Sequence, residues 1–257
     1  MSPDGGALIA ISDNGYWLTA KPIYDRAGRL DAIAPEGEIG VLQDPIGKPV
    51  RGRRRDAEEI TALPEGLAVA FEGEHRVWIY PNDGAPFARA PIVVEMPRGL
   101  SRAPSNKGIE TMTGLADGRL MIVTEGLFSA PDRLAGWISD GPPHRAWSPI
   151  AWRTLGEFVP TGAARLPGGD VLVLQRRFTW IGGLASRISR VAARDIVPGA
   201  TIAGEEIARL EVPVVHENFE GIAVAARDGD TLVYVISDDN YNAVLQRSLL
   251  LMFALKP

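Results

Sequence analysis

The chain contains no cysteine, which excludes both a disulfide framework and a thiol nucleophile. It is also short of positive charge: 27 Lys and Arg stand against 32 Asp and Glu, for a net charge of −5. No whole-domain basic field exists to steer a nucleic acid or an anionic membrane, and neither is expected as a partner. Long apolar runs are missing too. The longest, Leu249 to Leu255, is far too short to span a bilayer. Met1 to Ala10 lacks a basic segment and carries Asp4 where a signal-peptide core would begin, so an export signal is expected either outside this numbering or not at all. With only three histidines and no paired-histidine motif, zinc has little support. The absence of a Gly-x-Ser-x-Gly elbow and of a Walker loop argues likewise against a serine hydrolase and a nucleotide enzyme. Helical periodicity is scarce, since apolar positions recur almost everywhere with period two.

What the sequence does have is 257 residues at 46% hydrophobic and 23% charged, enough to bury a large core as one all-β unit over residues 1–257. One pattern organises it. Glu217-Asn218-Phe219-Glu220-Gly221 leads into an apolar alternating run, turns at Arg227-Asp228-Gly229-Asp230, and returns through Leu232 to Ser237 to the acidic pair Asp238-Asp239. An Asp-Gly turn between alternating apolar runs is a strong hairpin signal. The same hairpin recurs around Gly6, Gly66, Gly118 and Gly169, and with Gly229 the turn glycines are spaced 60, 52, 51 and 60 residues apart.

Further strands complete each unit, as at His75 to Tyr80 with Ile92 to Met96, Ser186 to Ala192 with Glu206 to Val212, and Ser248 to Leu255. Four strands in about fifty residues is the size of a propeller blade. The expected fold is an all-β propeller of four-stranded antiparallel blades, with five blades favoured; six would need most of another unit ahead of Met1. Residues 1–13 hold a turn and a second strand without a first, so the first blade is expected to be incomplete at the N-terminus, or its vacancy filled by another segment. Gly126 to Pro143 reads as a long loop overhanging a site. Asp44 to Arg55, with Arg51, Arg53, Arg54 and Arg55, reads as a solvated connection.

The first strand of each blade lines a propeller's channel, so a residue at its start repeats around one rim. Glu58 or Glu59, Glu110 and Glu220 hold that place in three units and Thr161 in the fourth. Carboxylates converging on one axis repel unless a cation or shared proton neutralises them. Oxygen-only ligands suit a hard cation, Ca²⁺ ahead of Mg²⁺. Asp13, Glu125 and Asp238 end the second strands as a weaker ring, into which Glu72 fits with a slip of one residue and where Arg176 replaces the acid. Lys107, Arg176, Arg177 and His216 then offer a cationic patch for a phosphate or carboxylate ligand. Trp180 is the candidate substrate wall, while His75, His144 and the other tryptophans read as strand and packing residues. The plainer alternative is that the acids cap strand ends in solvent and each cation pairs with a neighbouring Glu.

Asp56-Ala57-Glu58-Glu59-Ile60, Asn106-Lys107-Gly108-Ile109-Glu110, Pro160-Thr161-Gly162 with Gln175-Arg176-Arg177-Phe178, Asn218-Phe219-Glu220-Gly221 and Ser237-Asp238-Asp239-Asn240 resemble the bacterial phytase-like proteins with "esterase-like activity of phytase". The resemblance spans essentially the whole chain. It implies a periplasmic or secreted β-propeller related to the calcium-dependent phytases, in which Ca²⁺ ions bind substrate phosphate and activate water. On that basis Glu58, Glu59, Glu110, Glu220 and Asp238 are expected to hold metal, and Glu59, Glu110, Glu220 and His216 to be catalytic. Lys107, Arg176, Arg177 and Trp180 are expected to bind substrate. A monomer acting on a small phosphorylated or esterified molecule is the first expectation. A non-catalytic ligand- or partner-binding propeller with a structural metal is the second, and a sugar-lactone hydrolase the third.

Overall fold

A computed structural model describes residues 1–82, 85–179, 183–213, 217–238 and 247–256. Its strands form five sheets packed as the blades of a propeller, and among the described residues the only helix is short 3-10 turns. The first sheet holds β1 (Leu8–Ile11), β2 (Tyr16–Tyr24) and β3 (Leu30–Val41). The second holds β4 (Ala57–Leu63), β5 (Gly66–Phe71), β6 (Arg76–Pro81) and the short β7 (Ile92–Val93). The third holds β8 (Ile109–Gly114), β9 (Leu120–Ala130), β10 (Arg133–Ser139) and β11 (Trp147–Arg153). The fourth holds β12 (Val159–Arg165), β13 (Val171–Thr179), β14 (Gly183–Val191) and, after β15 (Thr201–Ile202), β16 (Glu205–Leu210). β15 itself crosses to lie parallel to β11, as a fifth strand of the third blade. The last blade holds β17 (Phe219–Arg227), β18 (Asp230–Ser237) and β19 (Leu250–Leu255).

The hairpins that begin the later blades close as their turn residues dictate. Leu115 N–H donates to Arg119 O and Leu166 N–H to Asp170 O, both at 2.7 Å, across turns in which Gly118 and Gly169 take φ of 82° and 95°. Only glycine holds that left-handed backbone without strain. In the first turn this residue is Gly5, at φ 74°, one position before the glycine the spacing picks out.

The inner strands pack side by side in the order β4, β8, β12, β17, and apolar clusters fill the spaces between blades. Ile122 of β9, for example, is fully buried among Leu63, Ala68 and Ile79 of the second blade. His144 is neither in a strand nor exposed. Buried in the β10–β11 connection, it hydrogen-bonds Ser139 Oγ (2.8 Å from Nδ1) and Glu65 Oε1 (2.7 Å from Nε2) in the β4–β5 turn, which ties two blades together.

One expectation fails outright. Residues 126–143 are not a long loop over a site, because β9 runs on to Ala130 and turns directly into β10. The ladder absorbs the glycines and the irregular spacing through register shifts opposite Leu134, where Phe128 pairs with Leu134 and Val123 with Gly136. Replacing Ile122 by alanine removes a fully buried side chain between two blades and is expected to cost about 2–5 kcal/mol, read as a lower midpoint in urea at unchanged slope.

Candidate functional site

All four inner strands carry the same irregularity at the same depth. The β4–β5 ladder shifts between Ala57 and Glu59, β8–β9 between Ile109 and Thr111, β12–β13 between Pro160 and Gly162, and β17–β18 between Phe219 and Gly221. The extra residues are Glu58, Glu110, Thr161 and Glu220. A bulge frees its residue from the ladder and re-aims its side chain, a device common beside active sites. The structure thus separates Glu58 from Glu59, which sequence alone leaves interchangeable: Glu58 is the rim residue. Glu59 is buried deeper and reaches across the hub, where its carboxylate accepts Ile60 N–H at 2.9 Å and Ala163 N–H of the fourth blade at 3.3 Å.

The second ring is regular as well. Glu72, Glu125, Arg176 and Asp238 each follow the residue that pairs with the position before the bulge, namely Phe71, Thr124, Gln175 and Ser237. Glu72 therefore needs no slip. Where the fourth blade has Thr161 and Arg176, its neighbours have two acids, and Arg176 bridges them. Its Nη1 donates to Glu220 Oε1 and to Asn218 Oδ1, both at 2.7 Å, while Nη2 lies 3.7 Å from Glu125 of the third blade. Lys107, half-exposed, sits 3.5 Å from the other oxygen of Glu125.

Acid remains in excess. Oxygens of Asp56, Glu58 and Glu72 lie within 4.8 Å of one another. Burial pushes the Glu58 carboxyl up to about 10, with repulsion from Glu110, Asp56 and Glu72 adding to it. Burial, then Glu125 and Glu72, pushes Glu110 up to about 8. Burial is the first cause for Glu59, Glu72 and Glu220 as well, all raised; Asp13 and Asp238 add repulsion at Glu220, which Arg176 opposes. The mouth opens into a groove of about 450 Å³ that takes in Asp13, Asp56, Glu58, Glu59, Glu220 and Asp238.

The rim acids, Arg176 and Lys107 thus come together. Arg177 does not: alternation along β13 sends it to the opposite face, where it lies over Phe158, 4.9 Å from the ring centroid, and 3.8 Å from Glu211. His216 and Trp180 lie outside the described residues. Sequence reasoning gave no role to Asn218, which orients Glu220 at 2.9 Å, nor to Asp56. Both stand two residues before a bulge acid, and that shared offset was the available signal.

Comparison with known proteins fits this geometry. The family described as phytase-like, with esterase-like activity of phytase, matches residues 1–241. The chain belongs to the phytase-like family. No curated protein matches it. Among solved structures, the phytase-like chain is similar to an α-L-arabinofuranosidase from Podospora anserina in complex with cellotriose, at 16% identity and a TM-score of 0.51 over 100% of this chain and 92% of that one. It is also similar to an α-L-arabinanase from Cellvibrio cellulosa complexed with arabinohexaose, at 9% identity and 0.50 over 100% and 93%. At such identities these likenesses speak for the fold alone. No helix among the described residues is long and apolar enough to cross a membrane.

The raised carboxyls fix a sign. Above the unfolded value of 4.5, up to about 8 for Glu110 and about 10 for Glu58, the folded metal-free protein holds protons that the unfolded chain has released. Its stability is therefore expected to fall as pH rises through that range, and thermal melts from pH 5 to 9 in chelator read the slope directly.

Proposed function

We propose that this phytase-like propeller is a metal-dependent hydrolase of phosphoric esters, with Ca²⁺ as its cation. The observation that carries the reading is the bulge repeated in four inner strands, which delivers glutamates from three blades to one mouth with more acid than the local cations neutralise. The donor set is all oxygen, and buried carboxylates that resist ionisation alone are suited to a hard cation.

Asp56, Glu58 and Glu72 would hold the ion, with Glu110 beside them. When bound, the cation supplies Lewis-acid polarisation of a phosphoryl oxygen and a more acidic water. The chain's own residues do the rest. Lys107 offers its ammonium to the phosphoryl oxygens. Arg176, fixed by Glu220 and Asn218, holds a guanidinium at the same rim. Glu220, raised by burial, would give its proton to the leaving oxygen and regain one from the attacking water. Hydrolysis breaks the P–O ester bond, adds water's oxygen to phosphorus and its proton to the departing alcohol.

A second reading, a non-catalytic propeller whose metal only ties blades together, draws support from Arg176 being already engaged by rim groups on two other blades. The two part experimentally. With p-nitrophenyl phosphate and phytate, the hydrolase reading expects turnover that appears with Ca²⁺ and disappears with chelator. Glu58→Gln is expected to weaken Ca²⁺ binding in calorimetry by at least about tenfold, and Lys107→Ala to raise KM with little change in kcat. Absence of calcium-dependent turnover in a protein whose melting temperature Ca²⁺ still raises would leave the binding module standing.

A further inference from the structure

The second strands of the blades do not end level at the mouth. β5 stops at Phe71, immediately before Glu72, and β18 stops at Ser237, immediately before Asp238. β9 and β13 run on instead. β9 passes Glu125 to reach Ala130, and β13 passes Arg176 to reach Thr179, before β14 returns from Gly183. The third and fourth blades, which are neighbours at the hub, therefore raise two arms above the rim. At their foot stand Lys107, 3.5 Å from one oxygen of Glu125, and Arg176, 3.7 Å from the other.

Each arm carries an exposed phenylalanine, Phe128 at 52% and Phe178 at 60% of full exposure. One exposed apolar side chain needs no explanation; two, on adjoining strands that overtop an ionic mouth, do. Register places the second of them. β13 pairs with β14 from Val171 to Thr179 without a shift, so alternation puts Phe178 on the face of Arg176. It stands two residues farther along the strand, a rise of about 7 Å.

The opposite face of the same arm is pinned. Arg177 lies over the Phe158 ring together with Arg187, 4.4 Å from its centroid, and Arg209, 5.4 Å from it. Arg187 also donates to Gln175 Oε1 at 2.8 Å, and Arg209 donates twice to Glu206, at 2.8 and 2.7 Å. Phe158 immediately precedes β12, so β12, β13, β14 and β16 are joined around one buried ring. An aromatic side chain on a braced strand loses little freedom on meeting a ligand, as a recognition platform requires.

We propose that Phe178 is a specificity-determining residue of the mouth: its ring is the platform for the organic part of a ligand whose phosphoryl group meets Lys107 and Arg176, and it selects aryl phosphates. The inference rests on the phosphate reading of the rim and deepens it by naming the alcohol. A phosphoryl group at the foot of the arms leaves its substituent to rise along β13, where it meets an apolar ring. Aromatic contact there favours a flat aryl group over a polyol, whose hydroxyls would lose water against that face.

The test is calorimetry in Ca²⁺ buffer with phenylphosphonate and methylphosphonate, neither of which has an ester bond to break. The full chain is expected to bind phenylphosphonate at least about fivefold more tightly than methylphosphonate. Phe178→Ala is expected to bring the two within about twofold of one another, and Phe178→Trp to keep the preference. Because the side chain is exposed, both variants are expected to melt with the parent. No preference in the parent, an undiminished preference in Phe178→Ala, or no binding of either phosphonate would overturn the proposal. Turnover separates it from the reading beneath it. A preference that holds while no phosphoric ester is hydrolysed sinks the hydrolase assignment and keeps the platform; Ca²⁺-dependent turnover without the preference does the reverse.

Discussion

Everything in this fold rests on how closely the inner strands approach one another at the hub. A Cβ on Gly162 would lie 2.7 Å from Glu220 O, and one on Gly114 would lie 2.9 Å from Ala62 O. The strands meet backbone to backbone, with Gly, Ala and Thr filling the axis. Close packing of this kind penalises a buried carboxylate without a partner, and Glu59 meets the demand by accepting backbone N–H groups of its own strand and of the fourth blade. The hub is thus held by van der Waals contact among small residues and by one carboxylate spanning it. The bulge residues, standing just above this plug, are the first side chains with room to act.

That arrangement accounts for the electrostatics of the mouth. Acids from three blades are crowded because radial packing crowds them, and their carboxyls titrate high because the hub below and the strands around them exclude water. The fourth blade relieves part of the strain by exchanging acid for Arg176, whose guanidinium binds the blades on either side. Charge balance at the rim is therefore a property of the whole ring, distributed over separate blades, and no single blade carries a complete site.

Much of this was legible in the sequence because a repeated hairpin is written in local chemistry. Turn glycines, period-two alternation and acids at strand ends all lie within a few residues of one another, so the five-bladed architecture and most rim residues could be named from the chain. What could not be read depends on register. Whether Glu58 or Glu59 faces the mouth turns on a one-residue bulge, which alternation alone does not disclose. Arg177 looked equivalent to Arg176 until strand alternation placed it over Phe158. The stretch from Gly126 to Pro143 looked like a loop because glycine and proline punctuate it, yet β9 and β10 pair through the punctuation by slipping register.

The bulges have one more consequence. Each lifts a single residue out of the hydrogen-bonded ladder, so its identity is not fixed by strand pairing. Thr161 occupies such a position beside three glutamates with the fold of its blade intact, while Arg176, inside the ladder opposite Val159, stands where the neighbouring blades carry an acid. The chemistry of the mouth is in this sense interchangeable blade by blade, while the scaffold beneath it is not. A propeller built this way can exchange one functional group at a time and still close its ring.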